Sequence, residues 1–209
     1  RDLFTGPNVQ KGAHATNLDA NSNGAIWQAD LASLVQYSSK NNKDNNYLLL
    51  VVDVFSRQVH TEALETKKPQ EVWEAFETIL GKFGKSPQKL DTDDGNEFGG
   101  FFQEQAKRRN IIVQTKDPEA VNDIAVADAA MKQIKEVMFR RMAKENTTSW
   151  IGFLGEATQI YNQTPHSTLY DEAPEDVDNV DIVKFRLQED NGIKLAQNAK
   201  TIKTKNGQT

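Results

Sequence analysis

Tyr47-Leu48-Leu49-Leu50-Val51-Val52-Asp53-Val54-Phe55 is the stretch that decides the architecture. The run is apolar except for Asp53 and lacks the alternation of a half-exposed strand. Asn45 and Asn46 bound it on one side, Ser56 and Arg57 on the other. Such a run suits a buried strand within a sheet that carries helices on its faces. Upstream, Trp27, Ala29, Leu31 and Ser33 alternate with Gln28, Asp30 and Ala32, which predicts a strand over Ile26–Val35. A polar turn at Ser38–Asn46 joins the two, and a third short strand at Gln58–Leu64 extends an antiparallel meander.

Downstream the period changes from two to 3.6. Val72, Trp73, Phe76, Ile79, Leu80 and Phe83 fall on one helical stripe, which Gly84 ends. A short strand at Gln88–Thr92 runs into Asp93-Asp94-Gly95. Phe98, Phe101, Phe102 and Ala106 predict another helix, and Ile111-Ile112-Val113 another strand. After a loop around Lys116–Asp123, a long helix is expected over Ile124–Lys144 and a last one over Ser149–Asn162. The order β-β-β-α-β-α-β-α-α describes an α/β fold with a mixed five-stranded sheet flanked by helices. Residues 1–25, rich in Asn, Gly, Asp and Lys, read as an extended arm, 26–177 as the folded core, and 178–209 as a polar extension.

Composition sets limits on function. A chain of 209 residues holds one sizeable domain with extensions. A 37% hydrophobic share and a mean hydropathy of −0.66 fit one ordinary core with long polar ends. No run of about 18 apolar residues exists, so no membrane-spanning helix is expected. The absence of cysteine rules out disulfides and thiolate metal sites, and three histidines (His14, His60, His166) make a structural zinc site a poor expectation. A net charge of −5 with pI near 5.3 weighs against an overall basic nucleic-acid binder, although the distribution of charge matters more than its total. The sequence begins at Arg1 without a methionine and reads as a fragment or a processed chain.

Three acidic residues stand where the pattern makes them unusual. Asp30 interrupts an apolar strand, Asp93 lies just past the carboxyl end of the fourth strand, and Asp128 sits near the start of the long helix. Strand ends beside helix starts are where α/β sheets place sites. Carboxylates gathered there repel one another unless a divalent cation neutralises them, and hard oxygen ligands favour Mg2+ or Mn2+. Two such ions activate an attacking oxygen and stabilise a leaving one in phosphoryl transfer. On the long helix, Asp128, Lys132 and Lys135 share a face within roughly 60°. Ala127, Met131, Ile134, Met138 and Met142 form a separate core-facing stripe. Taken singly, each Asp is more often a turn or capping residue, and Asp128 with Lys132 an ordinary helix ion pair. The conjunction in this order of elements favours the site. Trp27, Trp73 and Trp150 read as core, His60 as a strand-surface residue, and His166 as packing near the last helix. Asp53 reads as a support for the site, and Glu97 as either a substrate contact or a helix cap.

Trp27-Gln-Ala-Asp30-Leu31 resembles the first catalytic strand of retroviral and transposon integrases. Val52-Asp53-Val-Phe-Ser56-Arg57 and Thr92-Asp93-Asp94-Gly95-Asn96-Glu97-Phe98 resemble the blocks that follow it. Tyr161-Asn162, His166-Ser167 and Ala173-Pro174 look like that family's closing helix and exit. The resemblance covers about Ile26–Val177, and its nearest flavour is that of Polinton/Maverick-like element integrases. It implies a ribonuclease H-like fold with a D,D-E triad on two Mg2+ ions. It also implies hydrolytic 3'-end processing and strand transfer and self-association or a larger assembly; an active integrase would in addition have DNA as partner and act in the nucleus, the compartment itself being left open by the sequence. Carried over by position, Asp30, Asp93 and Asp128 are the catalytic and metal-binding residues, and Lys132 and Lys135 the DNA contacts.

Asp93 and Asp128 stand 35 positions apart, a spacing that suits the family. The chain departs from the family pattern in Asp128 for the usual Glu, Ala129-Ala130 for Arg-Phe, and Asp94 for Asn. These departures motivate an alternative: a domesticated, inactive integrase-like domain kept as a binding or scaffold subunit. A ribonuclease H-type nuclease with the same metal chemistry is a third reading, disfavoured by the Tyr161–Pro174 block.

Overall fold

A computed structural model of the chain describes residues 24–37, 40–115 and 125–177, with 181, 185, 186 and 189 beyond them. The arm expected at 1–25 and the extension expected at 178–209 lie almost wholly outside the described residues, as does the loop at 116–124. Strands run at Ile26–Ser33 (β1), Tyr47–Asp53 (β2), Val59–Leu64 (β3), Lys89–Thr92 (β4) and Ile112–Thr115 (β5). Helices run at Pro69–Phe83 (α1), Phe101–Arg108 (α2), Ala125–Lys144 (α3) and Ile151–Gln163 (α4). The five strands form one sheet in the order β3-β2-β1-β4-β5. β1 pairs antiparallel with β2 and parallel with β4, so the sheet is mixed as the sequence predicts.

Burial of both faces of the sheet explains the uninterrupted run in β2. Its side chains alternate across the pleat. Leu49 and Val51 join a core with Trp27, Ala29, Val72, Phe76, Ile79 and Phe102, under α1 and α2. Leu48, Leu50 and Val52 join the opposite core with Ala127, Ala130, Met131, Ile134, Met138 and Trp150, under α3 and α4. Each fully buried Leu or Val of the strand contributes about 1.5–3 kcal/mol, and this double core holds the three layers together. All three tryptophans are buried, as expected of core residues.

Helix ends follow local chemistry where that chemistry is local. Pro69 opens α1, and the Glu71 carboxylate reaches back to accept from the Glu65 and Thr66 amides and the Thr66 hydroxyl. Gly84 closes α1 at φ 66°, a left-handed conformation that a side chain disfavours. The expected helix through Phe98 is split: Asn96–Phe98 forms a short 3-10 turn, and Gly99-Gly100, with Gly100 at φ 47°, separates it from α2.

Other ends depend on distant residues. Asn42, fully buried, accepts from the Trp150 amide at 2.8 Å and donates to the Tyr37 and Thr148 carbonyls at 2.7 and 3.0 Å. It thereby caps α4, which begins at Ile151 and not at Ser149. Asn162 at the other end of α4 makes a paired contact with the outer edge of β3: its amide donates to the Val59 carbonyl and accepts from the Val59 amide, both at 2.9 Å. The side chain mimics the strand that is missing at this edge. Asn162→Ala leaves two buried backbone groups unpaired, so we expect a loss of about 2–3 kcal/mol in urea unfolding. The exposed neighbour Gln159→Ala serves as control; an Asn162 effect no larger than the control's contradicts this role.

Candidate functional site

The site grows from β1 outward. Burial along this strand is complete from Ile26 to Ala29, then relaxes: Asp30, Leu31 and Ala32 are half-buried and Ser33 is exposed. Asp30 is thus where the central strand emerges from the core. In the parallel register Ala29 stands opposite Thr92, the last residue of β4. One step further, Asp30 is beside Asp93, on strands separated by about 4.8 Å. Asp30 lies on the face covered by α3, and Asp128 is in that helix's first turn. Sheet and helix therefore bring Asp30, Asp93 and Asp128 to one place. Lys135, half-buried two turns along α3, also acts on Asp30; Lys132 is exposed on the same helix.

The charges interact as a cluster. Burial pushes the Asp30 carboxyl up to about 6, with Asp128 and then Asp93 adding to the rise; the Leu31 amide and Lys135 partly oppose it. Burial also raises Asp93, followed by the Glu97 carboxylate, while the Gly95 amide works in the other direction. Asp128 and Asp94 add smaller upward contributions. One oxygen of Asp93, Oδ1, is buried and accepts no hydrogen bond. A carboxylate lone pair withheld from water and from any donor is a costly feature for a purely structural residue.

Residues 20–120 match the family described as integrase core domain. That stretch is similar to integrase core domains. A putative uncharacterized transposon-derived protein of Caenorhabditis elegans is 24% identical over 169 residues, 76% of this chain and 58% of that protein. The HTLV-2 integrase catalytic core domain in complex with magnesium (trimeric form) is similar in structure, with TM-score 0.58 and 20% identity. It aligns over 73% of this chain and 95% of its own. The BIV integrase catalytic core gives TM-score 0.57 at 16% identity over 74% and 93%. A chain of the simian T-cell lymphotropic virus intasome, in complex with PP2A regulatory subunit B56 gamma, gives 0.63 at 17% over 73% and 53%. This chain thus spans somewhat over half the length of the curated relative it matches. At these identities the structural likenesses establish the ribonuclease H-like fold.

Around this site and beyond it, several residues take places that sequence reasoning left open or missed. Glu97 is buried, and its carboxylate folds back over Gly95 so closely that a Cβ there would stand 2.6 Å from the carboxyl carbon. Gly95 is what permits this approach, and Glu97 is the strongest charged neighbour of Asp93. Asp53, expected to support the site, does not. It lies on the opposite face from Asp30, holds the β2–β3 turn through the Phe55 amide at 2.9 Å, and pairs with Lys85 at 3.2 Å. His60, expected at the strand surface, is half-buried edge-on against Phe83. His166 packs on Tyr161, as expected of a residue near the last helix.

The donor set fits a hard divalent cation: carboxylates only, mutually repelling, with one buried oxygen unpartnered. Among the described residues, however, no three acidic or histidine side chains stand close enough together to form a ready metal cluster. The cluster destabilises the cation-free fold, because an Asp whose folded pKa is raised favours unfolding once it ionises. Above pH about 6, Asp30 is ionised in both states and this penalty is complete. Asp30→Asn is therefore expected to stabilise the cation-free chain at pH 7 by about 1–2 kcal/mol, raising Tm by roughly 2–6 °C. A lower Tm would mean that the Asp30 carboxylate is a structural hydrogen-bonding group.

Proposed function

We propose that this domain is the catalytic core of a DNA integrase, which processes 3' ends and joins them to target DNA with Mg2+ or Mn2+. The observation that carries the reading is the convergence of Asp30, Asp93 and Asp128 from β1, the end of β4 and the first turn of α3, with Asp128 and Asp93 both raising the energy of the Asp30 charge and Asp128 also that of Asp93. Asp30, Asp93 and Asp128 would hold the cations. When bound, these supply Lewis-acid activation of the attacking oxygen and stabilisation of the leaving one. In the first step water attacks the phosphodiester near the DNA end and frees a 3'-hydroxyl. In the second, that hydroxyl attacks a target phosphodiester and displaces the target's own 3'-oxygen, so the number of phosphodiester bonds is conserved.

The chain's own residues bind and orient. Lys132 and Lys135, one and two turns beyond Asp128, offer charge to a phosphate that these carboxylates would otherwise repel. The first turn of α3 adds its partial positive charge beside Asp128. DNA and further copies of the chain are the proposed partners, in keeping with relatives described as an intasome and as a trimeric form. Residues 26–177 are the proposed catalytic unit. Among the described residues no helix is long and apolar enough to cross a membrane.

A second reading is a domesticated core without activity. It draws on Asp128, one methylene shorter than the usual Glu, on Asp94 and Glu97 beside Asp93, and on the lack of a ready metal cluster. A misplacement of about 1 Å costs roughly 100-fold in rate. A strand-transfer assay with labelled DNA ends and Mn2+ separates the two. The active reading expects joined products that Asp30→Asn and Asp93→Asn each reduce by about 100-fold or more, and that Asp128→Glu increases. No product from the parent or from Asp128→Glu would favour the scaffold.

A further inference from the structure

Gln28 lies on β1 two residues before Asp30, on the same face of the strand. It is buried, at 6% exposure, and its Oε1 accepts from the backbone amides of Val126 and Ala127, both at 3.1 Å. These are the two residues that immediately precede Asp128, and both belong to the first turn of α3, whose amides have no partner within the helix. Residues almost a hundred positions apart in sequence are thus tied directly. The path from Asp30 to Asp128 is correspondingly short: one pleat of β1, one amide, and one peptide of helix.

The rest of α3 holds its own axial position weakly near this end. Its buried stripe there consists of Ala127, Ala130 and Met131, small or flexible side chains that make poor keys against sliding. A slip of one residue displaces Asp128 by about 1.5 Å along the helix and rotates it by about 100°. A double hydrogen bond at the first turn resists that slip. The chemistry of position 28 also suits its place: a carboxylate would satisfy the same two amides but add negative charge beside Asp30. An amide satisfies them with none.

We infer that Gln28 is a positioning residue, which holds the start of α3 so that Asp128 stays near Asp30, where the two would hold a cation. This rests on the reading of Asp30, Asp93 and Asp128 as cation ligands. Side chains that orient ligands in this way change metal affinity by about 10- to 100-fold when removed. The test compares the full chain with Gln28→Met, which keeps length and apolar bulk but no acceptor, and Gln28→Glu, which keeps the acceptor. Mn2+ affinity is read by titration, and amide hydrogen exchange is read without metal.

Gln28→Met is expected to bind Mn2+ at least about tenfold more weakly. Its Val126 and Ala127 amides should exchange at least about tenfold faster while those of β2 keep their protection. Gln28→Glu is expected to restore both. Parental Mn2+ affinity in Gln28→Met overturns the positioning role and leaves the carboxylate site standing, whatever the exchange rates. Absence of Mn2+ binding in the parent overturns both together.

Discussion

Everything at this site depends on one constraint: the central strand of a sheet covered on both faces must also deliver a carboxylate. β1 meets it by changing character along its length. Trp27 and Ala29 fill the core under α1 and α2, while Gln28 and Asp30 face α3. The strand leaves full burial at Asp30, beside the point where β4 ends and α3 begins. Had β4 continued or α3 started a turn later, Asp30 would be an isolated buried charge. Such a charge costs far more than any local contact returns.

A cluster of this kind lowers the stability of its scaffold, and the fold compensates elsewhere. The compensating contacts are side chains that complete backbone hydrogen bonding over long distances. Asn42 caps α4, Asn162 closes the open edge of β3, and Gln28 satisfies the start of α3. Each converts buried donors or acceptors that would be unpaired into part of the structure. Together they fix the helices on the α3–α4 face relative to the sheet, on the same face as Asp30. Rigidity is placed where a change of about an ångström would matter to chemistry.

Much of this was legible in the sequence because it is periodic or local. The double-sided burial of β2 shows in Leu48–Val52, the stop at Gly84 in its residue type, and the core stripe of α3 in Ala127, Met131, Ile134, Met138 and Met142. The element order also put Asp93 and Asp128 near enough to Asp30 to act on its charge, although among the described residues the three form no ready metal cluster. Boundaries set by distant partners were not legible. β1 ends at Ser33, short of the expected Val35, and Val35–Tyr37 turns into a 3-10 segment. β5 spans Ile112–Thr115, with Ile111 buried ahead of it and Ile112 67% exposed, so its apolar run did not mark its register. Gln28, Asn42 and Asn162 carry no local signal, since a side chain bonding to backbone many residues away looks like any polar residue. Asp53 misled for a related reason: its place next to the site strand is real, but the pleat turns it to the other face.

The acidic balance of the chain sits awkwardly with the proposed DNA substrate only if the site is considered without the cations proposed for it. Four carboxylates, Asp30, Asp93, Asp94 and Glu97, lie along β1 and the end of β4, with Asp128 opposite. Divalent charge there would turn a repulsive surface into an attractive one for phosphate. X-ray diffraction from crystals soaked in millimolar Mn2+, recorded for anomalous signal, tests this most directly. The account predicts anomalous density at about 2.1–2.3 Å from carboxylate oxygens of both Asp30 and Asp93, with Asp128 drawn into the same cluster. Density elsewhere on the chain, with these carboxylates left without metal, would contradict it.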